Sequence, residues 1–243
     1  MSRRHETGPP PAAPDPAPND PPASDIIDVR LLEAMRLGGC PVCVVRARSE
    51  RATMDTIINE RVLDRGFRAD LERKQGFCRR HVGQLVVTDR RETGGILGSS
   101  LLLSAVIDRR IEGLRDAVGS GGRGVRDRLK SARSRPPCIA CTQGDVAVET
   151  ALTRFADRSR DRAWADLLAS APFCLDDFLA LWSKAGAATG FEPIAAAHLA
   201  RLDDLRRRLE GYAHHSSHDR RHLLTDEERE AADVATRALH GDG

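Results

Sequence analysis

Six cysteines, one histidine and one aspartate recur in two similar patterns along the chain. The first half carries CPVC at Cys40–Cys43 and later GFCRRH at 76–81, and the second half carries CIAC at 138–141 and later PFCLDD at 172–177. Corresponding cysteines lie 98 residues apart in the first motif and 96 residues apart in the second. Because all six cysteines of the chain take part, we interpret the sequence as an internal duplication of one unit of about 95 residues.

The spacing of these residues is typical of a metal site. A C-x2-C pair places two sulfurs within reach of one ion, and a C-x2-H pair does the same for a sulfur and an imidazole. Three thiolates and one imidazole make a closed tetrahedral set of the kind that binds structural zinc. The first predicted site consists of Cys40, Cys43, Cys78 and His81. Arg79 and Arg80 could offset the net charge of −1 that three thiolates leave on a zinc ion.

The second half offers an aspartate where the first half has a histidine. Its predicted site consists of Cys138, Cys141, Cys174 and Asp177. A carboxylate can bind zinc, but three thiolates and a carboxylate leave a net charge of −2. Asp176 and His198 are alternative fourth ligands, and retention of the cysteines as packing residues without metal is the further alternative.

Three other interpretations of the cysteines remain open. Mixed cysteine and histidine ligation also occurs in iron–sulfur proteins, although ligation by cysteine alone is commoner. A C-x-x-C pair also resembles a thiol redox motif, but no strand–helix–strand pattern surrounds it here. Ordinary burial is the third interpretation, because free cysteine is among the most buried residue types.

The hydrophobic spacing predicts an all-α fold in which the cysteine motifs lie at helix starts. Apolar residues recur at intervals of three and four, and no convincing alternating strand is present. Cys40 fits the N-cap position of its helix, with Pro41 at the first helical position. The predicted helices cover 26–37, 41–64, 67–75, 78–87, 96–118, 138–156, 160–170, 174–188 and 192–210. Thr225 and Glu228 form a capping-box pattern for a final helix to about His240.

The remaining segments divide the chain. Residues 1–24 hold eight of the thirteen prolines, so we predict a disordered tail, with a polyproline ligand as the alternative. Residues 119–137 are rich in glycine, serine and arginine and are predicted to be a linker. The predicted units are therefore a first helical half at 25–118 and a second helical half, with a C-terminal helix, at 138–243.

Composition excludes several classes of protein. The 243 residues include 38 basic and 36 acidic side chains, and the net charge of +2 argues against a strongly basic nucleic-acid binder. The arginines of the linker could still contact phosphate, which keeps a nucleic-acid partner as an alternative. The longest apolar stretch is far too short to span a bilayer, and no secretory signal is visible. We therefore expect a soluble, cytoplasmic protein, in which cysteines are kept reduced.

With these motifs in hand, the chain resembles a bacterial family of unknown function. That family is built from two CPxC…FCxxH halves and ends in a histidine–aspartate–arginine stretch, which corresponds here to 217–221. The resemblance covers roughly residues 25–240. It implies Cys40, Cys43, Cys78 and His81 as one metal set, and Cys138, Cys141 and Cys174 as three members of a second.

We find no phosphate-binding loop, nucleophile elbow or kinase motif in the sequence. The histidines of 212–223 are interpreted as part of a polar loop, with a metal role for His218 and His222 as the alternative. We expect a non-catalytic protein with zinc at its cysteine sites that binds or regulates an unidentified protein partner. An iron–sulfur or thiol redox sensor that uses the same cysteines is the alternative from another class.

Overall fold

The structure, a computed structural model, describes residues 21–119, 137–186 and 191–241, and this part of the chain is helical without any strand. The all-α prediction is therefore confirmed. The first half contains α1 (Ile26–Arg36), α2 (Pro41–Thr56), α3 (Arg65–Arg73), α4 (Arg79–Thr93) and α5 (Leu97–Gly119). The second half contains α6 (Ile139–Arg158), α7 (Arg162–Ser170), α8 (Leu175–Ala185), α9 (Phe191–His215) and α10 (Asp226–His240).

Two short irregular turns complete the described chain. A π-helical turn at Ile57–Arg61 follows α2. The segment 41–64, predicted as a single helix, is therefore α-helical only as far as Thr56. A 3-10 turn at Arg221–Leu223 precedes α10, whose N-terminus carries the predicted capping box. The predicted disordered tail and linker fall almost entirely on residues 1–20 and 120–136, which lie outside the described residues.

Four of the helices begin at a cysteine. The N-cap residues of α2, α4, α6 and α8 are Cys40, Cys78, Cys138 and Cys174, each with extended backbone angles. None of them caps its helix with a side-chain hydrogen bond, so the sulfur is left free for another partner. The second candidate ligand of each motif lies three residues after the N-cap cysteine. This spacing is about one helical turn, so both side chains lie on the same side of the helix.

Helices α2 and α6 form the centre of the molecule and run antiparallel to each other. Arg46 donates a hydrogen bond of 2.6 Å to Asp145, and Ser49 donates one of 3.1 Å to the carbonyl oxygen of Gln143. Residue numbers therefore increase along α2 as they decrease along the facing part of α6. The helices approach closely at Gly144, where a Cβ atom would come within 2.9 Å of Glu50. Glycine thus permits the contact on which the arrangement of the two halves depends.

A large hydrophobic core lies on one side of this helix pair. It is built around Trp164, Phe155 and Phe178, which are all almost completely buried and belong to the second half. Leu31 of α1 and Val42 at the start of α2 belong to the same core. The first two helices of the first half are therefore packed with the second half.

A second, smaller core consists of first-half residues together with the start of a second-half helix. Met54, Leu85 and Leu102 form its first-half part, and Cys138 and Ala140 at the start of α6 pack against them. Each core therefore includes the beginning of the central helix from the other half. Hydrophobic burial couples the two halves, because neither core is complete without that contribution.

An ion-pair network fixes α1 against α6. Asp28 is completely buried and accepts hydrogen bonds from Ser24 and from the guanidinium group of Arg158. Burial alone would raise the pKa of Asp28, but Arg158 and Ser24 hold it below the usual value.

Within the described residues, no helix combines the length and apolar composition that crossing a bilayer requires.

Candidate metal centres

The eight residues predicted as ligands come together in two clusters, but not in the predicted combination. The histidine cluster consists of Cys78, His81, Cys138 and Cys141. The aspartate cluster consists of Cys40, Cys43, Cys174 and Asp177. In each, the four candidate ligand atoms all lie within 4.8 Å of one another, so each cluster could hold a metal ion.

This grouping corrects the one read from the sequence, in which each site used residues of a single half. The reason is the antiparallel packing of α2 and α6. Gly144, near the start of α6, lies beside Glu50 in the later half of α2, and α2 contacts α4. The antiparallel packing accordingly places the start of α2 beside the later half of α6, and α6 contacts α8. Each C-x2-C motif therefore meets the later motif of the other half.

In the histidine cluster, one imidazole nitrogen faces all three sulfurs. The Nδ1 atom of His81 is 3.1 Å from the sulfur of Cys78, 3.3 Å from that of Cys141 and 3.5 Å from that of Cys138. The sulfurs of Cys78 and Cys141 are 3.8 Å apart. His81 is completely buried, which fixes its ring orientation by packing.

Glu50 lies on the other side of the imidazole. Its Oε2 atom is 3.2 Å from Nε2 of His81 without the alignment of a hydrogen bond, and its Oε1 atom accepts a hydrogen bond of 2.6 Å from Arg80. A carboxylate behind a metal-binding histidine fixes the tautomer and increases the basicity of the ring. Arg80, which was expected to offset the charge of the thiolates, is instead paired with this buried carboxylate.

Sequence reasoning missed Glu50. The residue is 1% exposed although it is charged, and it lies two helical turns after Cys43 in α2. The signal was present as an acidic residue on the apolar side of a predicted helix. That position is uncommon because a buried carboxylate needs a partner.

In the aspartate cluster, a single carboxylate oxygen takes the place of the imidazole nitrogen. The Oδ2 atom of Asp177 lies 3.2 Å from the sulfurs of Cys40 and Cys174 and 3.3 Å from that of Cys43. The sulfurs of Cys43 and Cys174 are 4.0 Å apart. One oxygen at the apex of three sulfurs is the arrangement expected of a monodentate fourth ligand.

Both clusters have the dimensions of a tetrahedral site. Zinc–sulfur bonds of about 2.3 Å and zinc–nitrogen or zinc–oxygen bonds of about 2.0 Å imply edges of about 3.8 Å between sulfurs and about 3.5 Å from sulfur to the fourth ligand. The sulfur–sulfur distances of 3.8 and 4.0 Å and the distances from sulfur to His81 or Asp177 agree with these edges within a few tenths of an ångström. The positive ends of two helices also point at each cluster, which favours thiolates.

Packing of the thiols moves their pKa values in both directions. Hydrogen bonds from Cys174 and Cys40 lower the pKa of Cys43 to about 4, whereas burial and the neighbouring Cys78 raise the pKa of Cys141 to about 12. Burial also raises the pKa of Asp177. A cation that enters such a cluster must displace the protons of the neutral members.

The alternative fourth ligands lie outside the clusters. Asp176 is exposed and faces His240, with 3.5 Å between Oδ2 and Nδ1. His198 is buried but stacks on Phe178 with 3.9 Å between ring centroids. The structure therefore places Asp177, and neither alternative, beside the three sulfurs.

The C-terminal part of the described chain covers the aspartate cluster, which the sequence did not indicate. Gly241 follows α10 with a positive φ of 77°, which side-chain-bearing residues rarely adopt. A Cβ atom at this position would overlap the sulfur of Cys43 and contact that of Cys174. Only glycine combines this backbone angle with so close an approach to the sulfurs.

The histidines near α10 form no such cluster in the described chain. His215 faces Glu228 at 3.1 Å, and His214 contacts Arg220 at 2.9 Å. The stretch at 217–221, which carried part of the family resemblance, lies in and before the exposed 3-10 turn. These residues are therefore part of a polar connection.

Fold and site together define an all-helical protein with two buried cysteine-rich clusters that could each hold a metal ion. The chain belongs to a family of unknown function (DUF6062), whose model matches residues 23–190. This match includes all eight cluster residues and ends before α9. Comparisons with curated proteins and with solved structures gave no match.

Proposed function

We propose that the protein binds two zinc ions and acts as a non-catalytic helical module that binds or regulates a partner. The observation that carries this proposal is the geometry of the two clusters. Each offers three sulfurs and one nitrogen or oxygen, all within 4.8 Å of one another, as the four corners of a tetrahedral site require. Zinc is the metal that combines this ligand set with this geometry most often.

The proposed role of the ions is structural. Four protein ligands complete a tetrahedral site and leave no coordination position for a substrate. Each ion would join the start of one central helix to the start of a helix from the other half. The loops closed in this way are long, since Cys43 and Cys174 are 131 residues apart along the chain. Cross-links between distant residues reduce the entropy of the unfolded chain most.

A single ion fits the clusters better than an iron–sulfur cluster. Iron and sulfide atoms would stand between the protein ligands and hold the cysteine sulfurs further apart. The observed sulfur separations of 3.8 and 4.0 Å correspond to ligands of one shared ion. The carboxylate behind His81 also follows the pattern of histidine–zinc sites.

We also infer that the two halves arose by duplication and exchanged partners. The offsets of 98 and 96 residues between corresponding motifs and the same helix-start position for all four motifs support this. Under such an origin, the two halves diverged at the fourth ligand, which is His81 in the first half and Asp177 in the second. Cytoplasmic location and a protein partner remain part of the proposal.

Metal analysis of the untagged protein, purified without oxygen, tests the proposed function. We expect about two zinc ions per chain when the purification buffers contain no chelator. The matched control is a variant with Cys78 and Cys174 both changed to serine, which should retain little zinc and no other metal in its place.

Two outcomes would contradict the proposal. A zinc content below about 0.3 per chain, with no other metal, would show that the clusters are packed thiols. Iron and sulfide in equal amounts, with visible charge-transfer absorption, would instead support the iron–sulfur sensor.

A further inference from the structure

A cleft of about 560 Å³ lies between α9, α10 and the segment that precedes α8. Its walls are largely apolar and include Phe173, Leu202, Leu205, Val234 and Ala238. Cys40 forms part of the floor, but no other member of the aspartate cluster lines the cleft. A concave apolar site with a few polar groups is the usual form of a small-molecule site.

Two polar side chains in the wall have buried nitrogen atoms without a hydrogen-bond partner in the described ranges of the chain. His198 is 2% exposed, and neither of its ring nitrogens has a hydrogen-bond partner among the described residues. The same holds for the buried Nη2 atom of Arg201, one turn further along α9. The Nη1 atom of Arg201 donates to the carbonyl oxygen of Ala169 and so holds the guanidinium group in place. Buried donors without partners are costly, and a bound ligand would satisfy them.

The charge of the cleft is positive. Arg208 is paired with Asp204 over 2.6 Å, but Arg201 and Arg237 have no carboxylate partner in the part of the chain that the structure describes. Burial, and then the charge of Arg201, lowers the pKa of His198 to about 4, so its ring is neutral at physiological pH. The cleft therefore presents two unpaired arginines and one neutral imidazole.

We propose that this cleft binds a small organic carboxylate whose remaining part is apolar. The carboxylate would accept hydrogen bonds from Arg201 and His198, and the apolar part would lie between the leucines of α9 and the alanine and valine of α10. A guanidinium group is well suited to such a ligand because it can donate two parallel hydrogen bonds to a carboxylate. This inference does not rest on metal in either cluster, since Arg201, His198 and α10 belong to neither.

Octanoate serves as the probe, because it has one carboxylate and an apolar chain of suitable size. Isothermal titration calorimetry of the full chain, with its bound metal, should show one octanoate per chain. Changing Arg201→Met should weaken octanoate binding by at least about tenfold, since a charge-assisted hydrogen bond is lost. Arg206→Met is the matched control, because Arg206 lies on α9 but pairs with Asp203 and Glu210 outside the cleft, and it should bind as the unchanged protein does.

Two further ligands and one further variant complete the test. Uncharged 1-octanol and inorganic phosphate should each bind at least about tenfold more weakly than octanoate, because one lacks the charge and the other lacks the apolar part. Ala238→Phe should fill the cleft and abolish octanoate binding while the circular dichroism spectrum stays unchanged. This variant tests the proposal independently if Arg201→Met does not fold. Absent octanoate binding, equal binding of octanol or phosphate, or full binding by folded Arg201→Met or Ala238→Phe would each overturn the proposal.

Discussion

The histidine cluster and the aspartate cluster share a framework but differ in what surrounds the fourth ligand. In both, two helices begin at a cysteine and point their N-termini at the same three sulfurs. Behind His81 lies the buried Glu50, which is in turn paired with Arg80. The position that the 98-residue offset relates to Glu50 is Val148, a residue of the large core. Histidine and its supporting carboxylate are thus both absent from the aspartate cluster.

This difference indicates how one framework can hold two sites of unequal strength. A carboxylate ligand needs no partner to fix a tautomer, so a valine can take the place of the glutamate without leaving a buried group unsatisfied. The aspartate cluster would carry a net charge of −2 with zinc, against −1 for the histidine cluster. Burial lowers the pKa of Arg46, but Asp145, Glu50 and Asp177 together hold it above the usual value, so Arg46 is a positive charge that interacts with the aspartate cluster. We therefore expect tighter metal binding at the histidine cluster.

Removal of both ions should have the largest effect on stability. Because each ion joins the two halves, a strong chelator under reducing conditions should abolish most of the cooperative thermal transition. Circular dichroism at increasing temperature measures this, and addition of zinc should restore the transition. A melting curve unchanged by complete metal removal would contradict a structural role for the ions.

Loss of one ligand of the histidine cluster should have the second-largest effect on stability. We expect Cys78→Ser to lower the free energy of unfolding by about 4–5 kcal/mol, because a buried site would lose its ion and keep two packed thiols. Denaturant unfolding in zinc-containing buffer measures the change. Ser99→Ala, which removes a buried hydroxyl that belongs to neither cluster, controls for ordinary losses of packing.

The corresponding change in the aspartate cluster should be smaller. We expect Cys174→Ser to cost about 2 kcal/mol, because the ion that it removes is bound less tightly. The same unfolding measurement applies. Equal losses for Cys174→Ser and Cys78→Ser would contradict the ranking of the two clusters.

Removal of the supporting carboxylate should affect one cluster alone. Glu50→Gln should weaken zinc binding at the histidine cluster by about tenfold or more, since such partners orient the ligating imidazole. Competition with a chromophoric chelator measures the loss of the ion. Glu149→Gln, an exposed glutamate on α6, is the matched control and should leave both affinities unchanged.

The smallest expected change is a gain in zinc retention at the aspartate cluster. Asp177→His should reduce the charge of the second site from −2 to −1 and slow the transfer of its zinc to a competing chelator. The gain should be limited, because Val148 offers the new imidazole no carboxylate. Faster transfer of zinc from Asp177→His would show that the space around Asp177 does not admit a ring.

Most of the helices and the eight cluster residues could be predicted from the sequence. Glycine and proline mark the helix ends, and the apolar spacing is regular, so the bounds of α1, α6 and α10 differ from the predicted ones by only a few residues. The cysteine motifs identified residues that could hold a metal ion, because sulfur and imidazole at that spacing suit one tetrahedral site.

The grouping of those residues could not be predicted, for a physical reason. A repeat of two equal units is compatible with sites inside each half and with sites across the halves, because both give the same ligand types. The choice depends on the antiparallel packing of α2 and α6, a long-range contact that local spacing does not encode. Gly144, which allows that close packing, looks in the sequence like an ordinary helical glycine.

The crossed grouping is the central claim, and cysteine labelling of Cys78→Ser tests it most directly. Once its ion is lost, the thiols that shared it should react with iodoacetamide, and mass spectrometry identifies them. We expect Cys138 and Cys141 to be labelled while Cys40 and Cys43 stay protected by their own ion. Labelling of Cys40 and Cys43, with Cys138 and Cys141 protected, would contradict the claim and restore sites within each half.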